Sequence, residues 1–380
     1  MDFSLSDHQH LIRDTVREFM NTEVRPHVKD WERSDHFPLE FIQKLGALGC
    51  CGMLMPEQWG GPGLDTISYV LMLEEVARVH TAMSTAIAVT NSAVQLPLLA
   101  FGSETQKLRY LKALASGEIL GAFCLTEPAA GSDAAGIQAT AVRDGHNYNL
   151  NGTKTWVTNG SAAGVFIVFA KTNPAAAGKG ISAFLLEPGY PGLKIGRHED
   201  KMGQRCSPSV EIILNDCIIP ASDRLGEEGS GLKIALSALD GGRIGIAAQA
   251  VGLAQGALDE STKYARARKA FGKPIGEFQA VQWMLADMHT EIEAARVLLY
   301  QAAFLKDSGA KMGSAASRAK LYASEMVNRV VYKAVQIHGS LGYSRESEVE
   351  HMYRDARVIT IYEGTSEIQR TIIARDLLRS

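Results

Sequence analysis

The sequence predicts an α+β chain in three blocks: a helical domain at residues 1–116, a central antiparallel β domain at 117–231 and a helical bundle at 232–380. Three observations predict it. Apolar residues recur at helical spacing through the first stretch. Segments turn short and β-branched near Gly117. Helical spacing then returns at Leu232 and persists to the end. With 380 residues the chain has room for two or three domains, and one this long needs neither disulfide nor metal to bury a sizeable core.

Ser4-Leu5-Ser6-Asp7 has the spacing of a capping box, and Ile12, Val16, Phe19 and Met20 follow at helical intervals. A second stripe runs through Phe41, Leu45 and Leu48, with Cys50 and Cys51 just past its end. The turn cluster from Pro56 to Gly63 precedes a helix over 66–80, and another is expected over 82–101, interrupted by Pro97. In the middle block, 164–171 reads as a buried strand. Val210, Ile212 and Leu214 alternate with polar residues except where Ile213 intervenes. Asp144-Gly145 and Asn151-Gly152 carry hairpin-turn signatures on either side of Tyr148–Leu150. Long helices are expected over roughly 232–266, 276–308 and 311–339, with a last one over 366–379.

Composition excludes several classes. Thirty-nine Lys and Arg against forty-two Asp and Glu leave a net charge of −3, so no positive field exists to hold a nucleic acid. No apolar run is expected to reach the ~18 residues of a membrane span, so membrane insertion is not expected. The residues after Met1 lack the basic and apolar regions of a signal peptide, which points to a bacterial cytoplasmic enzyme or a processed mitochondrial matrix chain. Five cysteines without C-x-x-C spacing read as buried thiols in a reducing compartment, with no metal expected.

Four segments carry more chemistry than packing needs. Cys124-Leu125-Thr126-Glu127-Pro128-Ala129-Ala130-Gly131-Ser132-Asp133 leaves a strand for a loop of small and hydroxyl residues, suited to a polar ligand or to a plain turn. Asp240-Gly241-Gly242-Arg243 puts two glycines inside a helical stretch, at about 1 kcal/mol each, which fits either a close approach to the backbone or a helix break. Arg266 to Pro274 reads as cationic helix-ending chemistry. In Ile361-Tyr362-Glu363-Gly364-Thr365-Ser366-Glu367-Ile368-Gln369-Arg370, a carboxylate ends an apolar approach just before a helix opened by Thr365 or Ser366. That makes Glu363 either a candidate base with a raised pKa or ordinary helix-start chemistry.

Together these segments resemble the acyl-CoA dehydrogenase family, and the resemblance covers essentially the whole chain. It implies the acyl-CoA dehydrogenase fold, non-covalent FAD, an acyl-CoA substrate and Glu363 as the base that removes the α-proton while the flavin accepts the β-hydride. It implies that Phe123, Leu125 and Thr126 border the flavin, that Ser132 lies near FAD and CoA, and that Trp156 and Thr158 cover the other face. Arg268, Phe271, Gln279, Gln336, Gly339 and Ser340 resemble residues that reach a neighbouring subunit's FAD, with Thr365 and Glu367 flanking the cofactor. Asp240, Arg243 and Gly364 resemble substrate contacts. The partners implied are an electron-transferring flavoprotein and three further copies in a homotetramer, a dimer of dimers.

Some members of the family carry the base at the position of Gly242. Glycine there, with Glu363 at the C-terminal position, resembles the straight-chain short- and medium-chain type. Ala270, Glu367 and the stretch from Met83 to Pro97 are more like the short-chain group, which implies a butyryl-CoA-like substrate. The alternatives are a medium- or branched-chain acyl-CoA, a same-fold flavin oxidase using oxygen, and a non-catalytic helical binding protein.

Overall fold

The computed structural model describes residues 4–379. Its N-terminal block contains α1 (Asp7–Phe19), α2 (Arg25–Ser34), α3 (Leu39–Ala47), α4 (Thr66–Val79), α5 (Thr81–Ala88), α6 (Leu96–Phe101) and α7 (Glu104–Ala115). Ser6, not Ser4, caps α1: its hydroxyl accepts from Gln9 N while the Gln9 side chain accepts from Ser6 N. Two overlapping cap signals sit here, and the one whose third helical residue is glutamine closes the reciprocal pair.

The expected break at Pro97 does not occur. A π-helical turn, Val89–Gln95, joins α5 to α6, and Pro97 lies in the first turn of α6, where its missing N–H costs nothing. The continuous stretch Thr81–Phe101 is, against expectation, long and apolar enough to cross a membrane. Its apolar window is 72% buried within the protein, as a core helix is.

The middle block is one eight-stranded sheet: β1 (Leu120–Cys124), β2 (Thr140–Asp144), β3 (Asn147–Thr158), β4 (Ala163–Lys171), β5 (Ile181–Leu186), β6 (Leu193–His198), β7 (Ser209–Pro220) and β8 (Arg224–Leu225). Most pairings are antiparallel, but β1 and β2 both pair with β4 in parallel, so the sheet is mixed. Asp144-Gly145 does turn β2 into β3. Asn151-Gly152 does not turn. It lies inside β3 at a bulge opposite β7, where Gly152 takes φ 144° and a Cβ would meet the Ala139 Cβ at 2.6 Å. Turn-type residues therefore served a bulge, the other place where a strand needs freedom from a side chain. Ile213 is half-buried while Val210, Ile212 and Leu214 are buried, so the alternation of β7 survives.

The C-terminal block holds α8 (Gly231–Ala267), a hairpin of β9 (Lys269–Ala270) and β10 (Lys273–Pro274), α9 (Gln279–Asp307), α10 (Gly313–His338), α11 (Glu348–Ala356) and α12 (Ser366–Leu377). Neither α11 nor the β9–β10 hairpin was expected from the sequence. The helix α8 runs unbroken through Gly241 and Gly242, which excludes the helix-break reading.

Buried polar side chains tie the three blocks together. Glu32 of α2 meets His80 (3.4 Å) and the Cys206 thiol (3.3 Å) from the loop before β7, and His351 and Asp355 of α11 close the cluster. All five cysteines are buried and unpaired.

Candidate active site

Glu363 lies between the short 3₁₀ turn Arg357–Thr360 and α12, whose N-cap is Thr365 (Oγ1 accepts from Ile368 N, 3.4 Å). Its φ is 54°, a left-handed conformation that costs a non-glycine residue roughly 1–2 kcal/mol, and Gly364 follows at 89°. Both neighbours are clamped. The Tyr362 hydroxyl accepts from Gln204 Nε2 (3.1 Å) and donates to Gln249 of α8. The Gly364 carbonyl accepts from Lys320 Nζ of α10 (2.8 Å) and from Gln369 Nε2 (2.9 Å).

The side chain so aimed lies against α8. A Cβ on Gly242 would fall 2.9 Å from Glu363 Cδ, so the glycine leaves room for the carboxylate. Glu363 Oε2 is sealed from solvent and has no hydrogen-bond partner among the described residues. Burial pushes the carboxyl up to about 7, although nearby Arg243 and Lys320 pull it down. The same burial brings Lys320 down to about 8. Arg243 is 5% exposed, pairs with Asp240 one turn earlier and leaves its Nε unpartnered. This is an apolar site with one carboxylate poised to take a proton near neutral pH.

A second wall comes from the loop after β1. Thr155 N of β3 donates to the Thr126 carbonyl (2.9 Å), which sets Thr126 beside the β3 bulge. At that bulge Trp156 takes φ 59° and turns its indole outward, 58% exposed. Thr158 is half-buried on the same strand, Leu125 is buried, half-buried Phe123 packs on Phe169 (4.9 Å), and Ser132 is exposed at the loop's far end. An open aromatic face beside threonines suits a planar cofactor, and Thr155 Oγ1 is buried there without a partner. The loop is held from beneath. Lys154 Nζ, fully buried, meets Glu127 (2.7 Å) and the Leu125 carbonyl (3.3 Å), while the Glu127 carboxylate also accepts from Gln138 N (2.5 Å) and Ala139 N (3.0 Å).

The remaining expected cofactor residues are elsewhere. Phe271 and Gly272 form the tip of the β9–β10 hairpin, both with positive φ, and Phe271 is 95% exposed. The segment after α8 is therefore a hairpin that projects an aromatic ring, rather than plain helix-ending chemistry. Tyr264, one turn before Arg268, stacks on His338 (4.4 Å), which brings the end of α8 to Gln336, Gly339 and Ser340 at the end of α10. Arg268, Gln279, Gln336, Gly339 and Ser340 are all exposed. Arg268 lies 26 residues beyond Gly242 on one helix, about 39 Å along its axis, and Gln336 about 24 Å beyond Lys320. Glu367 is exposed in the first turn of α12.

An open groove of about 770 Å³ runs along the first turns of α8, lined by Lys179, Leu232, Lys233, Leu236, Ser237 and Asp240. It ends at Asp240, the ion-pair partner of Arg243.

Models of the acyl-CoA dehydrogenase N-terminal, middle and C-terminal domains match residues 6–118, 122–217 and 229–378. The chain belongs to the acyl-CoA dehydrogenase family. It is 43% identical to the short-chain-specific acyl-CoA dehydrogenase of Clostridium acetobutylicum over the full length of both. The solved butyryl-CoA dehydrogenase of Megasphaera elsdenii superposes with a TM-score of 0.98 at 43% identity, each chain covered completely. A chain solved in work on the electron-transferring flavoprotein of Acidaminococcus fermentans superposes at 0.99 and 45%, again over 100% of both.

Glu363 stood out in the sequence of this acyl-CoA dehydrogenase, but the residues that hold it did not. Lys320, Gln369, Gln204 and Gln249 come from four distant segments and carry no local signature. Lys154 and Glu127 lay inside quoted segments, yet nothing in the sequence said that their side chains meet.

Proposed function

We propose that this acyl-CoA dehydrogenase oxidises the Cα–Cβ bond of a short-chain acyl-CoA to the trans-2-enoyl-CoA, with FAD as its cofactor. The observation that carries this reading is Glu363: a carboxylate strained into position, sealed from water, with a pKa near 7 and a glycine opposite. A glutamate at its ordinary value is too weak a base for a thioester α-proton, and desolvation supplies the missing basicity. The proton passes to the Glu363 carboxylate, which no side chain among the described residues hydrogen-bonds. Arg243 and Lys320 steady the charge there before transfer. The Thr126 loop and the Trp156 face hold the flat partner against the substrate and exclude water. FAD, when bound, supplies the hydride acceptor that no side chain offers.

The groove along α8 suits the CoA portion, because Lys179 and Lys233 line it and its inner end reaches Asp240. Phe123, Leu125, Thr126, Ser132, Trp156 and Thr158 serve the flavin of their own subunit in this reading, and Thr365 and Glu367 flank it. Arg268, Phe271, Gln279, Gln336, Gly339 and Ser340 serve a neighbour's. At tens of ångströms from Glu363, they are too remote for the ring beside it. A homotetramer also accounts for the exposed Phe271, Trp283, Tyr332 and Tyr343 of the C-terminal block. Electrons leave to an electron-transferring flavoprotein, and the unpaired thiols suit a reducing compartment such as the bacterial cytoplasm.

The test is kcat/KM over a series of straight acyl-CoAs with an artificial electron acceptor. The reading expects a maximum at four carbons and a flavin absorption band that bleaches with substrate. A colourless protein, or one that leaves every member of the series unchanged, contradicts it.

A further inference from the structure

Helices α4 and α8 run side by side in the same direction, and glycines of α8 report how closely. A Cβ at Gly256 would meet the Arg78 backbone carbon at 3.2 Å, and one at Gly252 the Glu74 backbone carbon at 2.9 Å. Toward the start of α8 the contact changes character. At Gly245 the nearest atom is the Tyr69 hydroxyl oxygen at 3.1 Å, with Leu73 Cδ1 at 3.4 Å and Ala88 Cβ at 3.8 Å. At Gly242 it is the Glu363 carboxylate, and at Gly241 only Leu96 Cδ1, 3.5 Å away. The seam is closed by backbone at one end, opens toward the catalytic carboxylate at the other, and has one tyrosine ring where it begins to open.

We propose that Tyr69 is the end wall of the acyl pocket and sets this enzyme's limit on chain length. The inference rests on the acyl-CoA reading above and adds the residue that fixes which acyl-CoA. Tyr69 is 1% exposed, and its hydroxyl has Ser92 as its one polar neighbour, beyond normal hydrogen-bond geometry. A buried hydroxyl so poorly satisfied is costly, so packing alone does not explain a tyrosine there in place of phenylalanine or leucine. Its position explains it better. Gly242 and Gly245 are three residues apart, so the hydroxyl stands nearly one helical turn beyond the carboxylate, about 4.5 Å of axial rise, in the path of an acyl chain lengthening along α8. Leu73, Ala88 and Leu96 make the side walls apolar, as an alkyl chain requires. Burial, against a pull from Ser92 and with help from the Glu363 charge, disfavours ionisation of the Tyr69 hydroxyl, so the end wall stays neutral.

The experiment compares kcat/KM for butanoyl-, hexanoyl- and octanoyl-CoA in FAD-loaded wild type, Tyr69→Leu, Tyr69→Ala and Gly245→Ala. Removing the wall should raise the octanoyl-to-butanoyl ratio at least about tenfold in Tyr69→Ala, with Tyr69→Leu between it and wild type, since single methylenes in a tight pocket discriminate by such factors. Gly245→Ala leaves Tyr69 in the chain and adds a methyl 3.1 Å from its hydroxyl, narrowing the seam at the wall, so the hexanoyl-to-butanoyl ratio should fall at least about threefold. Ratios within about twofold of wild type in yellow, folded Tyr69 variants overturn the proposal. If those variants do not fold, an unchanged ratio in Gly245→Ala overturns it alone. A wild type that oxidises none of the three substrates would instead count against the acyl-CoA reading itself.

Discussion

Glu363 combines two features that oppose stability: a left-handed backbone and a buried carboxylate. Both persist because Tyr362 and Gly364 are fixed on either side. A consequence is a pH profile. The carboxylate form is the base, and burial raises its pKa to about 7, so kcat/KM for butanoyl-CoA should climb as pH rises through about 7 and fall about tenfold per unit below it. A rate flat from pH 5 to 8 in a stable enzyme would deny Glu363 this role. The glycine opposite invites a sharper test. Since Gly242 faces the same carboxylate from α8, Glu363→Gly combined with Gly242→Glu should recover part of the activity lost in Glu363→Gly. Recovery should stay incomplete, because the relocated base loses its alignment. No gain over the single variant, in flavin-loaded protein, removes the claim that both positions address one carbon.

At the scale of elements, α8 organises the site. One uninterrupted helix of 37 residues carries Asp240, Gly242, Arg243, Gly245 and Gln249 into the centre and Arg268 to the surface. Its length was legible from hydrophobic spacing. The purpose of its glycine pair was not, because a break and a close approach leave the same mark in one sequence. The same ambiguity turned Asn151-Gly152 from an expected turn into a bulge, since the choice is made by β7 pairing across from it. The hairpin after α8 was hidden for a related reason: Gly and Pro near a helix end also read as termination. Glu363 stood out locally as either a base or a helix-start residue, and only the family resemblance favoured the first, whereas the Lys154–Glu127 pair that shapes the Thr126 loop depends on two elements meeting. Glu127→Leu removes that pair and two backbone hydrogen bonds, leaving the buried Lys154 charge without a counter-ion and with only the Leu125 carbonyl. It should cost about 3–5 kcal/mol and lower flavin content with it, as melting curves and absorbance would record. A normal melting temperature with full flavin would show the loop to be independent of the pair.

For the whole molecule, three blocks enclose one site, and the far ends of α8 and α10 reach away from it to the surface, where the proposed function places a neighbouring subunit's FAD. Arg268→Ala should then weaken assembly and FAD retention together, because bound cofactor stabilises the folded assembly by mass action. Light scattering and absorbance on one sample check this, and a tetramer with full FAD, or a monomer with full FAD, contradicts it. The central claim is that this fold exists to hold one buried carboxylate against an acyl α-carbon. Stopped-flow reduction of the bound flavin by butanoyl-CoA in Glu363→Gln tests it most directly, since glutamine preserves volume and hydrogen bonding and removes only the proton acceptor. The account predicts a yellow, fully assembled enzyme that binds the substrate and whose flavin is reduced at least about 10²–10⁴-fold more slowly than wild type. Reduction at the wild-type rate, or loss of FAD from an otherwise folded protein, would contradict it.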